Sequence, residues 1–226
     1  MSQAEFREYE RDQVVSFRKT TEDFGGLSNM APGYPIYILG LRVRTSEALY
    51  QACRFPHLPQ VQRMIVEETS PMTAKMRSKP YRDDSRADWE EVRVKVMRWC
   101  LRAKLLHNWP AFSKLLLATG DRPIVEDSRK DDYWGAKGGE DNLLAGRNVL
   151  GRLLMELREI VRSDPARLEE LYPLDIPNFL LLGDTIPMLT RRGQHHSERG
   201  IHDVNPERTK SVATKAVDEP VQDRLL

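Results

Sequence analysis

Between residues 45 and 162, apolar positions in this chain recur with helical spacing. The longest such run is Arg86 to His107. Trp89, Val92, Val96, Trp99, Ala103 and Leu106 fall three or four residues apart there, which lines them along one face. Glu91, Lys95, Arg98 and Arg102 occupy the opposite face, so the pattern predicts a long helix with one core stripe and one solvated stripe. A second stripe, Leu150, Leu153, Leu154, Leu157 and Val161, predicts a helix from Val149 to Val161. Shorter helices follow from start and stop signals. Thr45-Ser46 reads as a cap for Glu47 to Ala52. Pro59 to Glu68 gives a second short helix, and Ser70-Pro71 opens a third, with serine at the cap and proline in the first turn. A further helix starts at Pro110 and stops at Gly120, a residue suited to a helix C-terminus.

The β signal is weaker and early. Val14-Val15-Ser16-Phe17 and Ile36-Tyr37-Ile38 read as short strands, and Gly25-Gly26 and Pro32-Gly33 as turns. Composition shifts near residue 163, where Ser163-Asp164-Pro165 begins a stretch that also holds Pro173, Pro177 and Pro187. Within it, Ile176 to Leu189 is open to three readings: a strand, a short segment packed on the domain, or a docking motif for a partner. From Thr190 onward apolar groups are too sparse to offset ordering entropy, which predicts a disordered tail over 190–226. The expected architecture is mainly α, within the α+β class. A compact helical domain over 12–162 carries a small N-terminal β element, followed by an extension over 163–189 and a flexible C-terminal tail.

Composition narrows the function classes. The 226 residues are 40% hydrophobic and 31% charged, which fits one domain plus a tail. A net charge of +1 and a pI near 7.8 give no case for a general polyanion binder. They leave room for a small phosphorylated ligand, which needs only a local cluster of Arg and Lys. Cys53 and Cys100 have no CxxC partner and sit in segments that read as buried helix, so core thiols in a reducing compartment are expected. Met1 to Arg11 lacks the apolar stretch of a signal peptide, and no run approaches the length of a membrane span. A cytoplasmic location is the expectation, with the nucleus also open.

The stretch most suggestive of chemistry is Glu126-Asp127-Ser128-Arg129-Lys130-Asp131-Asp132-Tyr133-Trp134-Gly135. Adjacent aromatics offer π faces for a flat ring, and neighbouring carboxylates carry protons or stabilise positive charge. The plainer reading is an acidic surface loop pinned by one buried Trp. Lys104 falls on the helical wheel between Met97, Cys100 and Leu101, beside Arg93. Either its stem snorkels over apolar surface, or burial lowers its pKa and makes the amine a nucleophile toward an aldehyde-like carbon. Glu47 lies in a first helical turn, where the dipole favours the ionised form. It is an ordinary helix-start acid, a base, or an anion beside an oxocarbenium-like centre. Ser28-Asn29 can serve as turn residues or as ligand donors, and Asn148 as a cap or a site residue. His195, His196 and His202 do not make a metal site, and no HExxH, GxSxG or phosphate-loop pattern occurs.

Several segments occur together in a fixed order. They include Gly26-Leu27-Ser28-Asn29-Met30, Thr45-Ser46-Glu47-Ala48-Leu49-Tyr50-Gln51-Ala52, Ser70-Pro71-Met72, Asp88-Trp89, Leu101-Arg102-Ala103-Lys104, Val125-Glu126, Asp131 with Tyr133-Trp134-Gly135, and Gly146-Arg147-Asn148. On these residues the chain resembles the NADAR family of YbiA-like N-glycosidases, over roughly residues 14–162. The resemblance implies a mainly helical domain and hydrolysis of N-glycosidic bonds without a cofactor or metal. It implies one of two substrate classes. One is phosphoribosylated pyrimidine intermediates of early riboflavin biosynthesis. The other is ADP-ribose attached to guanine in a nucleotide or nucleic acid. A module that binds ADP-ribose without cleaving it is the non-catalytic alternative. The resemblance also marks Glu47, Lys104 and Asp131 as catalytic candidates, with Lys104 as the Schiff-base amine. It marks Ser28, Asn29, Trp89, Tyr133, Trp134 and Asn148 as substrate-binding candidates. The family pattern of one acid, one intervening residue and then Tyr-Trp selects Asp131 over Asp132. Arg54 and Lys75 are expected to hold phosphate.

Overall fold

The computed structural model describes residues 5–139 and 142–191. The predicted tail, with His195, His196 and His202, lies outside the described residues from position 192 onward. Two strands open the chain, β1 (Arg7–Glu10) and β2 (Val15–Phe17), followed by a hairpin of β3 (Ile36–Ile38) and β4 (Leu41–Val43). Its turn is Leu39-Gly40, both at positive φ (50° and 73°), the two-residue geometry that matches strand twist. Then come α1 (Ser46–Ala52), α2 (Pro59–Val66) and α3 (Pro71–Ser78). Their start signals work as read: Thr45 Oγ1 accepts the Ala48 amide at 3.2 Å, and Ser70 Oγ accepts the Thr73 amide at 3.3 Å. The long helix is α4 (Trp89–His107), followed by α5 (Trp109–Ala118), β5 (Ile124–Glu126), β6 (Lys137–Gly138), β7 (Leu143–Gly146) and α6 (Val149–Ser163).

Two expectations need correction. The β structure is not confined to the N-terminal part: β1 pairs antiparallel with β7, and β2 pairs parallel with β5. β1 and β2 are thus each completed by residues more than a hundred positions later, while β3 and β4 pair locally. Strands of two to four residues fall below what periodicity resolves, so their late partners left little trace in the sequence. The class is mixed α+β, as expected, with helix the larger share. The single core stripe of α4 is also too narrow. Met97, Cys100, Leu101, Lys104 and Leu105 are buried along with the expected positions. The reason is that α4 is central, touching α1, α5 and α6 as well as strands.

The extension packs on this domain. A 3-10 turn (Pro165–Leu168) leads to β8 (Glu170–Leu171), β9 (Leu180–Leu181), β10 (Asp184–Thr185) and β11 (Leu189–Thr190), with β9 paired to β10 and β8 to β11. Trp99 Nε1 donates to the Tyr172 carbonyl at 2.8 Å, and its ring meets Phe179 edge to face at 5.1 Å. Gln62 Nε2 donates to the Ala52 and Leu180 carbonyls, both at 3.0 Å, while its Oε1 accepts the Leu182 amide at 2.6 Å. Phe179, Leu181, Ile186 and Leu189 are buried in the core, so 176–189 is a segment packed on the domain, with Met188 left exposed. Cys53 and Cys100 are free, buried thiols. Among the described residues no helix is long and apolar enough to cross a membrane.

Candidate active site

The first helix sets one wall. Glu47, Tyr50, Gln51 and, just beyond the helix, Arg54 follow at spacings of three and four, so all turn to one side. α4 supplies Trp89, Glu90, Arg93 and Met97 by the same rule, and β5 brings in Glu126. The loop after β5 adds Asp131 and Trp134, and Asn29, Met30, Lys75 and Arg82 complete the lining. Together they enclose about 320 Å³.

Trp134 is held by main-chain geometry. Asp131 Oδ1 accepts the amides of Tyr133 and Trp134, both at 2.9 Å, which closes a tight turn. The carbonyls of Tyr133, Trp134 and Gly135 then accept the amides of Val149, Leu150 and Asn148, each at 3.0 Å. The first amides of α6 would otherwise be orphaned, so the aromatic loop serves as their cap. The Tyr50 ring lies 5.0 Å from Trp89 and 5.7 Å from Trp134, giving a continuous aromatic surface.

Glu47 is buried, with 6% of its surface exposed. Its Oε1 accepts Gln51 Nε2 at 3.0 Å, Lys75 Nζ lies 3.8 Å away, and its backbone amide donates to the Asn29 carbonyl at 3.1 Å. Glu126 carries the largest consequence of this crowding. Burial, then the Glu47 and Asp131 carboxylates, push it up to about 7, with Lys75 acting in the opposite direction. Around these acids stand the cations Arg54, Lys75, Arg82 and Arg93. Asp132 does not join them; it pairs with Lys137 at 2.6 Å, and that hydrogen bond holds its carboxyl below the usual range.

Of the residues singled out in the sequence, Asn29, Glu47, Trp89, Asp131, Trp134, Arg54 and Lys75 come together on the cavity wall. Lys104, Tyr133, Ser28 and Asn148 do not. Lys104 is wholly buried rather than at the edge of an apolar face. Its Nζ donates to the carbonyls of Gly26 at 2.6 Å and Ser28 at 2.9 Å, beneath the rings of Tyr34 and Phe112. Burial lowers its pKa to about 7, while two carbonyl acceptors and two ring faces favour the ammonium. It ties the Gly26–Ser28 turn to α4. Tyr133 packs its ring on the Arg93 guanidinium at 3.8 Å, behind Trp134. Ser28 Oγ accepts the Met30 amide at 3.2 Å within its own turn. Asn148 makes no side-chain cap; it sits at φ 49°, fully buried under β5.

Glu126 and Arg93 are the main residues that the sequence reading left out. Arg93 lies one helical turn beyond Trp89, a signal that helical spacing carried. Glu126 opened the acid-aromatic stretch and the Val125-Glu126 motif but was given no role of its own, because the carboxylate that crowds it most, Glu47, comes from another part of the chain. Among the described residues, no group of three His, Cys, Asp or Glu side chains is arranged to hold a metal ion.

Comparison with known proteins bears on this arrangement. Residues 16–162 match the model of the NADAR domain. N-glycosidase YbiA of Escherichia coli is 38% identical over 149 residues, covering 66% of this chain and 89% of that protein. Riboflavin biosynthesis protein VVA0006 of Vibrio vulnificus is 35% identical over 169 residues, covering 75% of this chain. The match spans only 42% of that longer protein. The solution structure of E. coli YbiA is similar, with a TM-score of 0.58 at 36% identity over 69% of this chain and 88% of that one. The matched residues include every element that lines the cavity, and the chain belongs to the NADAR family.

Proposed function

We propose that this protein is an N-glycosidase that hydrolyses the bond between a phosphorylated ribose and a nitrogen heterocycle. One observation carries the reading: Glu126, held protonated up to about pH 7, shares a cavity with Glu47 and Asp131 and with two indole rings. Cleavage of an N-glycosidic bond needs a proton for the departing nitrogen and negative charge near the anomeric carbon as that carbon becomes oxocarbenium-like. Glu126 supplies the proton. Glu47 stabilises the cation and then takes a proton from the attacking water, whose oxygen bonds to the anomeric carbon. The heterocycle lies against Trp89 and Trp134, and Arg54, Lys75 and Arg82 hold the phosphate. Two carboxyls of different proton affinity thus divide the work.

Cavity size and the names of relatives support one substrate class over the other. A cavity of about 320 Å³ is at the small end of ligand pockets, which suits a mononucleotide-like molecule better than an ADP-ribosylated base. A relative named as a riboflavin biosynthesis protein supports a phosphoribosylated pyrimidine of that pathway. ADP-ribosylated guanine is the competing substrate, favoured by the number of cations around the cavity. Chromatography of each compound after incubation with the enzyme separates the two. Release of the pyrimidine but not of guanine is expected. Absence of release from either compound would leave a binding module.

A further inference from the structure

The charged face of α4 that the sequence assigns to solvent is half covered. Lys95, Arg98 and Arg102 form one wall of a cleft of about 580 Å³, and the segment from Arg167 to Leu174 forms the other. The helix itself separates this cleft from the active site. Trp89, Arg93 and Met97 face the catalytic cavity, whereas Lys95, Arg98 and Arg102 lie on the opposite side.

Charge in the cleft is incompletely matched. Arg98 Nε lies 3.0 and 3.1 Å from the two oxygens of Glu156, and Arg102 Nη2 lies 3.5 Å from one of the same oxygens. A single carboxylate therefore serves two guanidinium groups. Arg102 Nε is buried with no hydrogen-bond partner. Burial holds the Arg102 guanidinium below its usual range; Glu156 counters this, and Arg98 and Arg167 add repulsion. Among the described residues, neither Lys95 nor Arg167 has an ion-pair partner. Of the acids on the far wall, Glu169 pairs with Arg191 at 3.3 Å, while Glu170 accepts the Tyr172 hydroxyl at 3.0 Å and keeps its charge, one anion facing the cations of α4. Tyr172 leaves 64% of its surface exposed at the rim.

The geometry points to a second binding site in this cleft, for a ligand bearing a diphosphate group held by Arg98, Arg102, Arg167 and Lys95. Guanidinium forks match phosphate oxygens in pairs, and a multiply charged anion between these side chains removes their mutual repulsion. The same diphosphate comes free, as pyrophosphate, or on a nucleoside whose base would stack on the Tyr172 ring. The site takes no part in the hydrolysis proposed above and does not depend on it.

Titration calorimetry of the full chain with inorganic pyrophosphate and with ADP, at low salt, tests this. A Kd below about 1 mM is expected, weakening as salt rises. The Arg102→Gln/Arg167→Gln double variant is expected to bind at least tenfold more weakly. A Lys75→Gln/Arg82→Gln variant, altered only at the catalytic cavity, is expected to retain the event. Because Arg102 also pairs with Glu156 of α6, the exposed Arg167→Glu variant is measured beside it. It must weaken binding with thermal unfolding unchanged. Several-fold tighter binding of ADP than of pyrophosphate supports the site with Tyr172 as the stacking surface, and equal affinities support it as a bare-anion site. Absence of binding to the wild type, wild-type binding by the Arg102→Gln/Arg167→Gln variant, or loss of all binding in Lys75→Gln/Arg82→Gln overturns it.

Discussion

Asn148 fixes the backbone on which Glu126 stands. Its Oδ1 accepts the Glu126 amide at 3.3 Å, and its Nδ2 donates to the Ile124 carbonyl at 2.8 Å. The residue adopts positive φ to do so, a conformation asparagine tolerates better than most side chains. Asn148→Gly preserves that backbone freedom and removes only the clasp, while Asn148→Ala also adds strain. Both variants are expected to lose kcat by about tenfold or more, since small displacements of a reacting group cost up to ~10²-fold. Asn148→Ala should unfold at the lower temperature. Steady-state kinetics with thermal melts check both, and wild-type kcat in a folded Asn148→Gly enzyme would uncouple this residue from the site.

Glu126 should govern the alkaline limb of the pH profile. Its folded pKa, about 7, lies above the ordinary value of 4.5, so the acid form is present below that pH and is lost above it. kcat/KM is therefore expected to fall as pH rises through about 7, and Glu126→Gln should abolish this limb together with ~10²–10⁴-fold in rate. Stability moves the same way. The native state binds the extra proton between the two pKa values, so this group's contribution declines from pH 4.5 to about 7. Glu126→Gln should thus raise the melting temperature more at pH 8 than at pH 5. Equal shifts at both pH values would mean that Glu126 is not a buried acid.

Glu47→Gln keeps the shape and removes the charge. A loss of about 10²-fold or more in kcat with an intact fold is expected, from the removal of one acid–base group. The Gln51 contact survives, because the substituted amide still offers an oxygen to Gln51 Nε2. Near-normal turnover in this variant would take Glu47 out of the reaction.

Lys104 is expected to behave as an anchor. In Lys104→Met both carbonyls lose this donor; that of Ser28 keeps the Ala31 amide at 3.1 Å, so Gly26 is the group left unpaired, at a cost of about 1–3 kcal/mol. The melting temperature should drop clearly. Borohydride reduction during turnover should leave Lys104 unmodified, since Lys75 is the lysine on the cavity wall. Peptide mapping of the reduced enzyme decides this, and an adduct on Lys104 would contradict the anchoring role.

Asp131 is expected to act first through the turn it closes. Asp131→Asn retains an oxygen for the Tyr133 and Trp134 amides, whereas Asp131→Ala retains none. Trp134 fluorescence should stay close to wild type in the first variant and shift in the second. If both shift equally, the Asp131 charge rather than its hydrogen bonds holds the loop.

Local signals in the chain reached a good part of this picture. Thr45 and Ser70 cap their helices because a side-chain oxygen satisfies an amide three residues on, and that needs no tertiary partner. The stripes of α4 and α6 were readable because helical spacing repeats within the chain. The acid-aromatic stretch stood out by its residue types, and the family resemblance picked out Asp131 with Tyr133 and Trp134 within it.

What the amino-acid order determined by itself was the set of helices, their caps and the acid-aromatic loop, because each rests on contacts a few residues apart. Only the folded chain decided that β1 and β2 pair with strands far downstream and that Lys104 lies behind the cavity wall. It alone decided that the outer face of α4 is roofed by residues 167–174. The proton on Glu126 belongs to the same group, since it comes from burial and from Glu47, which is distant in the sequence. Electrostatic and desolvation effects depend on distance through space, and sequence separation does not record it.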